Sequence, residues 1–114
     1  MSNAYDPEKC DAFEYNTSPA FTVSAGSQYR LVVDCRHCGG YVQNYQVTLM
    51  SARRDVPSST LMVLNQYGQS VGTSDPGHHV VFIGNVPFDA VYTIVVTNVS
   101  RRSEKCLVYC SGAI

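Results

Sequence analysis

Apolar and polar residues alternate along most of this chain, and that period of two constrains its fold more than any other feature. Val91-Tyr92-Thr93-Ile94-Val95-Val96-Thr97-Asn98-Val99 places Tyr92, Ile94 and Val96 on one face of a strand and Val91, Thr93, Val95 and Thr97 on the other. β-Branched residues prevail on both faces, as a pleated and packed backbone favours. Similar runs occupy 21–25, 29–35, 41–50, 60–66, 79–83 and 105–110. Turn chemistry divides them at Ala25-Gly26, Gly39-Gly40, Val56-Pro57-Ser58, Tyr67-Gly68, Ser74-Asp75-Pro76-Gly77 and Asn85-Val86-Pro87, and Ser70 is read as part of a polar turn. No helical period intervenes. The pattern predicts an all-β chain, a single antiparallel β-sandwich or jelly roll of about seven to eight strands.

With 114 residues the chain is long enough for one domain that buries about two-thirds of its unfolded surface. Ser2-Asn3-Ala4 resembles the remnant of a removed tag, so the domain is expected to occupy 5–114. Eight basic residues stand against nine acidic ones. That balance lacks the positive excess that nucleic acid or an anionic membrane attracts, and no apolar run reaches membrane-spanning length, so neither nucleic-acid binding nor membrane insertion is expected. Arg53-Arg54 and Arg101-Arg102 flank apparent strands and read as solvated loop charges.

Five cysteines carry the concentrated chemistry: Cys10, the pair in Cys35-Arg36-His37-Cys38, and the pair Cys106 and Cys110. In an oxidising compartment they are disulfide candidates. A link from the 35/38 region to the last strand would close a loop long enough to contribute about 4 kcal/mol through the unfolded chain. An odd count leaves one thiol over. The alternative is a structural zinc held by Cys35, Cys38, Cys106 and Cys110, with His37 as a substitute ligand. Residues four apart on a regular strand lie about 13 Å apart, which suits Cys106 and Cys110 to separate bridges better than to one ion. Disulfides therefore take precedence, and with them a secreted, periplasmic or cell-surface location. Asn16-Thr17-Ser18 and Asn98-Val99-Ser100 match the N-glycosylation pattern and agree with secretion.

No nucleophile elbow, zinc-protease helix, phosphate loop or close acidic pair is present, and no catalytic residue is assigned. Ser74, Asp75, His78 and His79 crowd one turn, but adjacent histidines on a strand face opposite ways, so they do not converge on a substrate. Binding is the remaining role. Tyr41, Gln43 and Tyr45 share one face of a predicted strand and offer a Tyr and amide surface to a protein partner or a glycan. The same register continues into Val47 and Leu49, which favours the core for the tyrosines. Exposed strand edges offer a second route, including self-association.

The order of segments in FTVSAGSQYRLVVD at 21–34, LMVLNQYGQSVGTSD at 61–75 and FDAVYTIVVTNVS at 88–100 resembles the pre-peptidase C-terminal domain. That family sets a strand and Gly turn before an apolar strand, then a strand ending in a polar-Gly turn, then an apolar penultimate strand. Asn16-Thr17-Ser18-Pro19-Ala20-Phe21 is similar to the entry of the calpain-type β-sandwich. The resemblance implies a non-catalytic accessory or interaction module, and with the cysteines and strand edges the chain reads as an extracellular binding or assembly module without a cofactor, accessory to a peptidase or part of a surface structure. The zinc reading implies instead an intracellular protein-interaction domain.

Overall fold

A computed structural model of the chain describes residues 16–18, 20–35, 43–53, 57–74, 79–86 and 91–113. Within them run β1 (Asn16–Thr17), β2 (Phe21–Val23), β3 (Gln28–Asp34), β4 (Gln43–Ser51), β5 (Thr60–Leu64), β6 (Ser70–Thr73), β7 (Val80–Gly84), β8 (Val91–Thr97) and β9 (Glu104–Ala113). No helix occurs among the described residues. Each of the seven expected runs contains a strand.

Two sheets form, with every pairing antiparallel. In the first, β1 and β2 share one edge of β9, which is followed by β4 and then β7. The second has the order β3-β8-β5-β6. From β2 onward each strand crosses to the sheet opposite its predecessor, except for the β5–β6 hairpin. This is the double Greek-key winding of a jelly roll.

Period two explains the core. Tyr45, Val47 and Leu49 from β4 and Val108 from β9 face Leu61 and Val63 from β5 and Tyr92, Ile94 and Val96 from β8, all buried. Aromatic pairs bridge the sheets: Phe21 stacks on Tyr29 with centroids 4.2 Å apart, and Tyr45 lies 6.0 Å from Tyr92. Ser18 covers the break between β1 and β2 by donating its amide to the Val108 carbonyl at 2.8 Å and accepting from the Val108 amide at 2.9 Å.

The structure corrects two expectations. Ser70 is not in a turn: it begins β6 and pairs with Leu64. The Ser70–Thr73 segment is largely exposed, so it carries no alternation, and hairpin backbone bonding rather than side-chain burial makes it a strand. Asn65 closes that hairpin, its Oδ1 accepting from the amides of Tyr67 at 2.9 Å and Gln69 at 3.0 Å, while Gly68 takes the left-handed φ of 79°. The second correction concerns β4. Asn44 has φ 53°, and two residues between Gln43 and Gln46 oppose one between Ser111 and Ala113. This bulge breaks the alternation, leaving Gln43 exposed and Tyr45 buried. They do not form a shared surface, while Tyr45 lies in the core, as its register with Val47 and Leu49 favours.

Candidate anion-binding groove

At one end of the sandwich the exit of β4 meets the entry of β9. Ser51 pairs with Cys106, and Phe21 of β2 pairs with the same Cys106 from the other side. Just beyond, the Ala52 amide donates to the Lys105 carbonyl at 2.8 Å and the Arg53 amide to Ser51 Oγ at 3.2 Å, so the chain turns with Arg53 held at the rim.

The approach to β9 is built around Asn98, which is fully buried. Its Nδ2 donates to the Val23 carbonyl at 2.9 Å and the Arg102 carbonyl at 2.7 Å. Its Oδ1 accepts from the Ser100 amide at 2.9 Å and Ser100 Oγ at 2.8 Å. A satisfied buried amide of this kind fixes a loop, because losing any partner strands a desolvated polar atom. The 98–102 turn is thereby shaped to leave Arg101 and Arg102 exposed.

Arg53, Arg101, Arg102 and Lys105 line one open groove of about 620 Å³, together with hydroxyls of Thr22, Ser51, Ser58, Ser100 and Ser103. Half of the chain's eight Lys and Arg residues gather here. Among the described residues the lining has one carboxylate, Glu104, and it is engaged elsewhere. Its Oε2 accepts from the Ser58 amide at 2.8 Å, and its Oε1 accepts from the Ser59 amide at 2.9 Å and Ser59 Oγ at 2.6 Å. Partial burial alone would raise the Glu104 pKa, but the Ser59 hydroxyl and the two amides outweigh it and hold the carboxyl below its ordinary value. Among the described residues the four cationic heads have no carboxylate or hydrogen-bond partner. A hydroxyl-lined groove with unneutralised guanidinium groups is suited to carboxylate, sulfate or phosphate oxygens, which Arg can hold by two parallel bonds.

The sequence reading of the two arginine doublets as separate solvated charges misses this convergence. The available signal was their placement: one follows β4 and the other precedes β9, and strands paired antiparallel bring such ends together. Arg54 itself lies outside the described residues.

Beneath the groove, Cys106 is buried and donates to Glu104 Oε1 at 3.5 Å. Burial, with the neighbouring Glu104 charge, pushes its thiol up to about 12, which leaves negligible thiolate at neutral pH. Cys110 lies toward the other end of β9. The register from Cys106 to Cys110 is unbroken against β4, so about 13 Å of extended strand separates them and they do not converge on one ion. Cys110 and Cys35 instead approach the Tyr45 hydroxyl, and Cys35, Cys106 and Cys110 are all thiols here rather than the disulfide partners the sequence suggests. Burial holds that hydroxyl well above its ordinary pKa and both sulfurs add to the effect, although the hydroxyl itself has no partner at hydrogen-bond geometry.

Of the other expected site residues, Cys10, Cys38, His37, Tyr41, Asp75 and His78 lie outside the described residues. Asn16 is placed in β1 by its backbone. The Asn98 nitrogen that would carry a glycan is committed to two carbonyls inside the fold. Ser74 Oγ accepts from the Leu61 amide at 3.0 Å, a structural role within the β5–β6 region.

No protein-family model matches the sequence, and no curated protein does. The structure is similar to a Yersinia pseudotuberculosis-derived mitogen, with a TM-score of 0.64 and 12% identity, covering 85% of this chain and 86% of that chain. It is also similar to the pre-peptidase C-terminal domain of a collagenase from Bacillus anthracis, with a TM-score of 0.61 and 7% identity, covering 86% of this chain and 90% of that chain. At such identities the likeness is one of fold. The chain has a β-sandwich fold like that of the peptidase-associated module its segment order resembles.

Proposed function

We propose that the chain is a non-catalytic binding module that works outside the cytoplasm, as an accessory domain of a larger enzyme such as a peptidase or as part of a surface structure. Its ligand is anionic and sits in the groove between the ends of β4 and β9. The observation that carries this reading is the convergence of Arg53, Arg101, Arg102 and Lys105 on one groove where the one carboxylate among the described residues is spent on Ser58 and Ser59. Like charges gathered without a neutralising partner cost free energy, which a bound anion offsets. Extracellular placement is supported by the fold shared with the mitogen and the collagenase domain. In an oxidising compartment we expect a bridge to involve the Cys35 and Cys110 end of the core, with Cys106 remaining a thiol.

Titration calorimetry with poly-glutamate and with a heparin oligosaccharide tests the groove. At least one polyanion should bind, more weakly as salt rises from about 50 to about 200 mM, as contacts between exposed charges require. The paired change Arg101→Glu and Arg102→Glu should abolish that binding without lowering the melting temperature, because both side chains are exposed. Absence of binding to either polyanion, or binding indifferent to the paired change, overturns the proposal.

A further inference from the structure

The groove does not end at its cations. Lys105, Leu107, Tyr109 and Ser111 alternate outward along β9, away from Cys106, Val108 and Cys110 in the core. Register places Thr22 opposite Lys105, Met50 opposite Leu107, Thr48 opposite Tyr109 and Gln46 opposite Ser111. One strand further, Val80 stands opposite Thr48 and Phe82 opposite Gln46. The outer face of this sheet therefore carries Leu107 and Met50 beside Lys105 and then Tyr109, Val80 and Phe82 toward β7, with Thr48, Gln46 and Ser111 among them. Met50 is 41% exposed and Phe82 74% exposed. The other end of the same track is the basic groove.

We infer that the groove and this sheet face form one docking surface for an acidic polypeptide segment that carries apolar side chains among its carboxylates. The inference rests on the binding-module reading and specifies its partner. Charge complementarity selects the acidic part: four unneutralised cations meet carboxylates at one end of the track. The rest of the track selects a polypeptide. Arg, Met, Phe and Tyr together are the composition of protein interfaces, whose apolar anchors set affinity while flanking charges set register. A single-stranded nucleic acid would need aromatic platforms beside the cations, and among the described residues the groove lining contains no aromatic one. A glycan would be held by hydroxyl and amide groups around a flat ring. Beside Lys105 the aliphatic Leu107 and Met50 offer a sugar no hydrogen bond, and further along the Gln46 amide is spent on the Ser111 hydroxyl at 3.1 Å.

The test compares three probes on the full chain: a synthetic peptide alternating Glu with Leu and Phe, poly-glutamate of the same charge, and a heparin oligosaccharide. The alternating peptide should bind at least about tenfold more tightly than poly-glutamate, the gain coming from buried apolar surface. The double change Met50→Ser and Phe82→Ser should erase that gain and leave poly-glutamate affinity within about twofold, since additional charges are not touched. Amide shifts in the alternating-peptide complex should extend from Arg102 to Phe82. Equal affinity for the two peptides, or a gain that survives the double change, overturns the inference while the anion-binding reading stands. Tighter binding of heparin than of either peptide also overturns it, in favour of an acidic glycan. Failure of all three probes removes the binding-module reading as well.

Discussion

Glu104 is the residue through which the groove and the fold meet. It stands at the start of β9 in one sheet and fastens Ser58 and Ser59, at the entry to β5 in the other. Its pKa is lowered in the folded chain, so the stability it contributes is complete above its unfolded pKa of about 4.3 and is lost as pH falls through the lower folded value. Glu104→Gln should lower stability by about 1 kcal/mol near neutral pH, a figure kept small because the carboxylate is partly open to solvent. Urea denaturation at several pH values checks this. The gap between wild type and variant should close below about pH 4, because the protonated acid and the amide then bond alike. A gap that is constant with pH would mean that the carboxylate charge contributes nothing. The sequence shows Glu104 only as a polar residue before a strand, since its partners come from another strand entry far away in the chain.

At the scale of elements, the strands differ in how firmly the fold depends on them. β8 lies between β3 and β5, with Ile94 fully buried and paired on both sides, to Leu31 and Val63. β6 is an outer strand whose first residue, Ser70, is exposed. Ile94→Pro removes a ladder donor and an apolar core side chain together and should cost about 3 kcal/mol or more, whereas Ser70→Pro falls at the start of an edge strand that tolerates proline better. Equal melting temperatures of the two variants would contradict this ranking. Gly72 marks the point where β6 does depend on close packing, for a Cβ there would run into the Val81 side chain of β7. Alternation made β8 legible because Tyr92, Ile94 and Val96 on one face are buried while Val91, Thr93 and Thr97 on the other are only partly so. It did not reveal β6, whose pairing comes from the Asn65 turn, nor the bulge at Asn44, which moves Gln43 off the face of Tyr45.

Across the whole molecule, the two sheets have one shared interior. Phe21 with Tyr29 and Tyr45 with Tyr92 join them near both groove and opposite end, and Asn98 of the β8–β9 connection bonds the Val23 carbonyl of β2. Neither sheet can keep its inner face covered without the other. Thermal unfolding followed by far-UV circular dichroism and by tyrosine fluorescence should therefore give one coincident transition, and separate midpoints would show two independently folding units. The all-β class, the seven main strands and the burial of Tyr45 among apolar neighbours were determined by the sequence itself, because alternation records which side of each strand must leave water. Strand order, the jelly-roll winding and the groove were decided only by tertiary structure. Pairing β4 with β9 joins Arg53 to Arg101 and Arg102, and the bonds of Glu104 to Ser58 and Ser59 leave those cations without a neutralising partner among the described residues; both depend on contacts between residues remote in the chain, which no local pattern encodes.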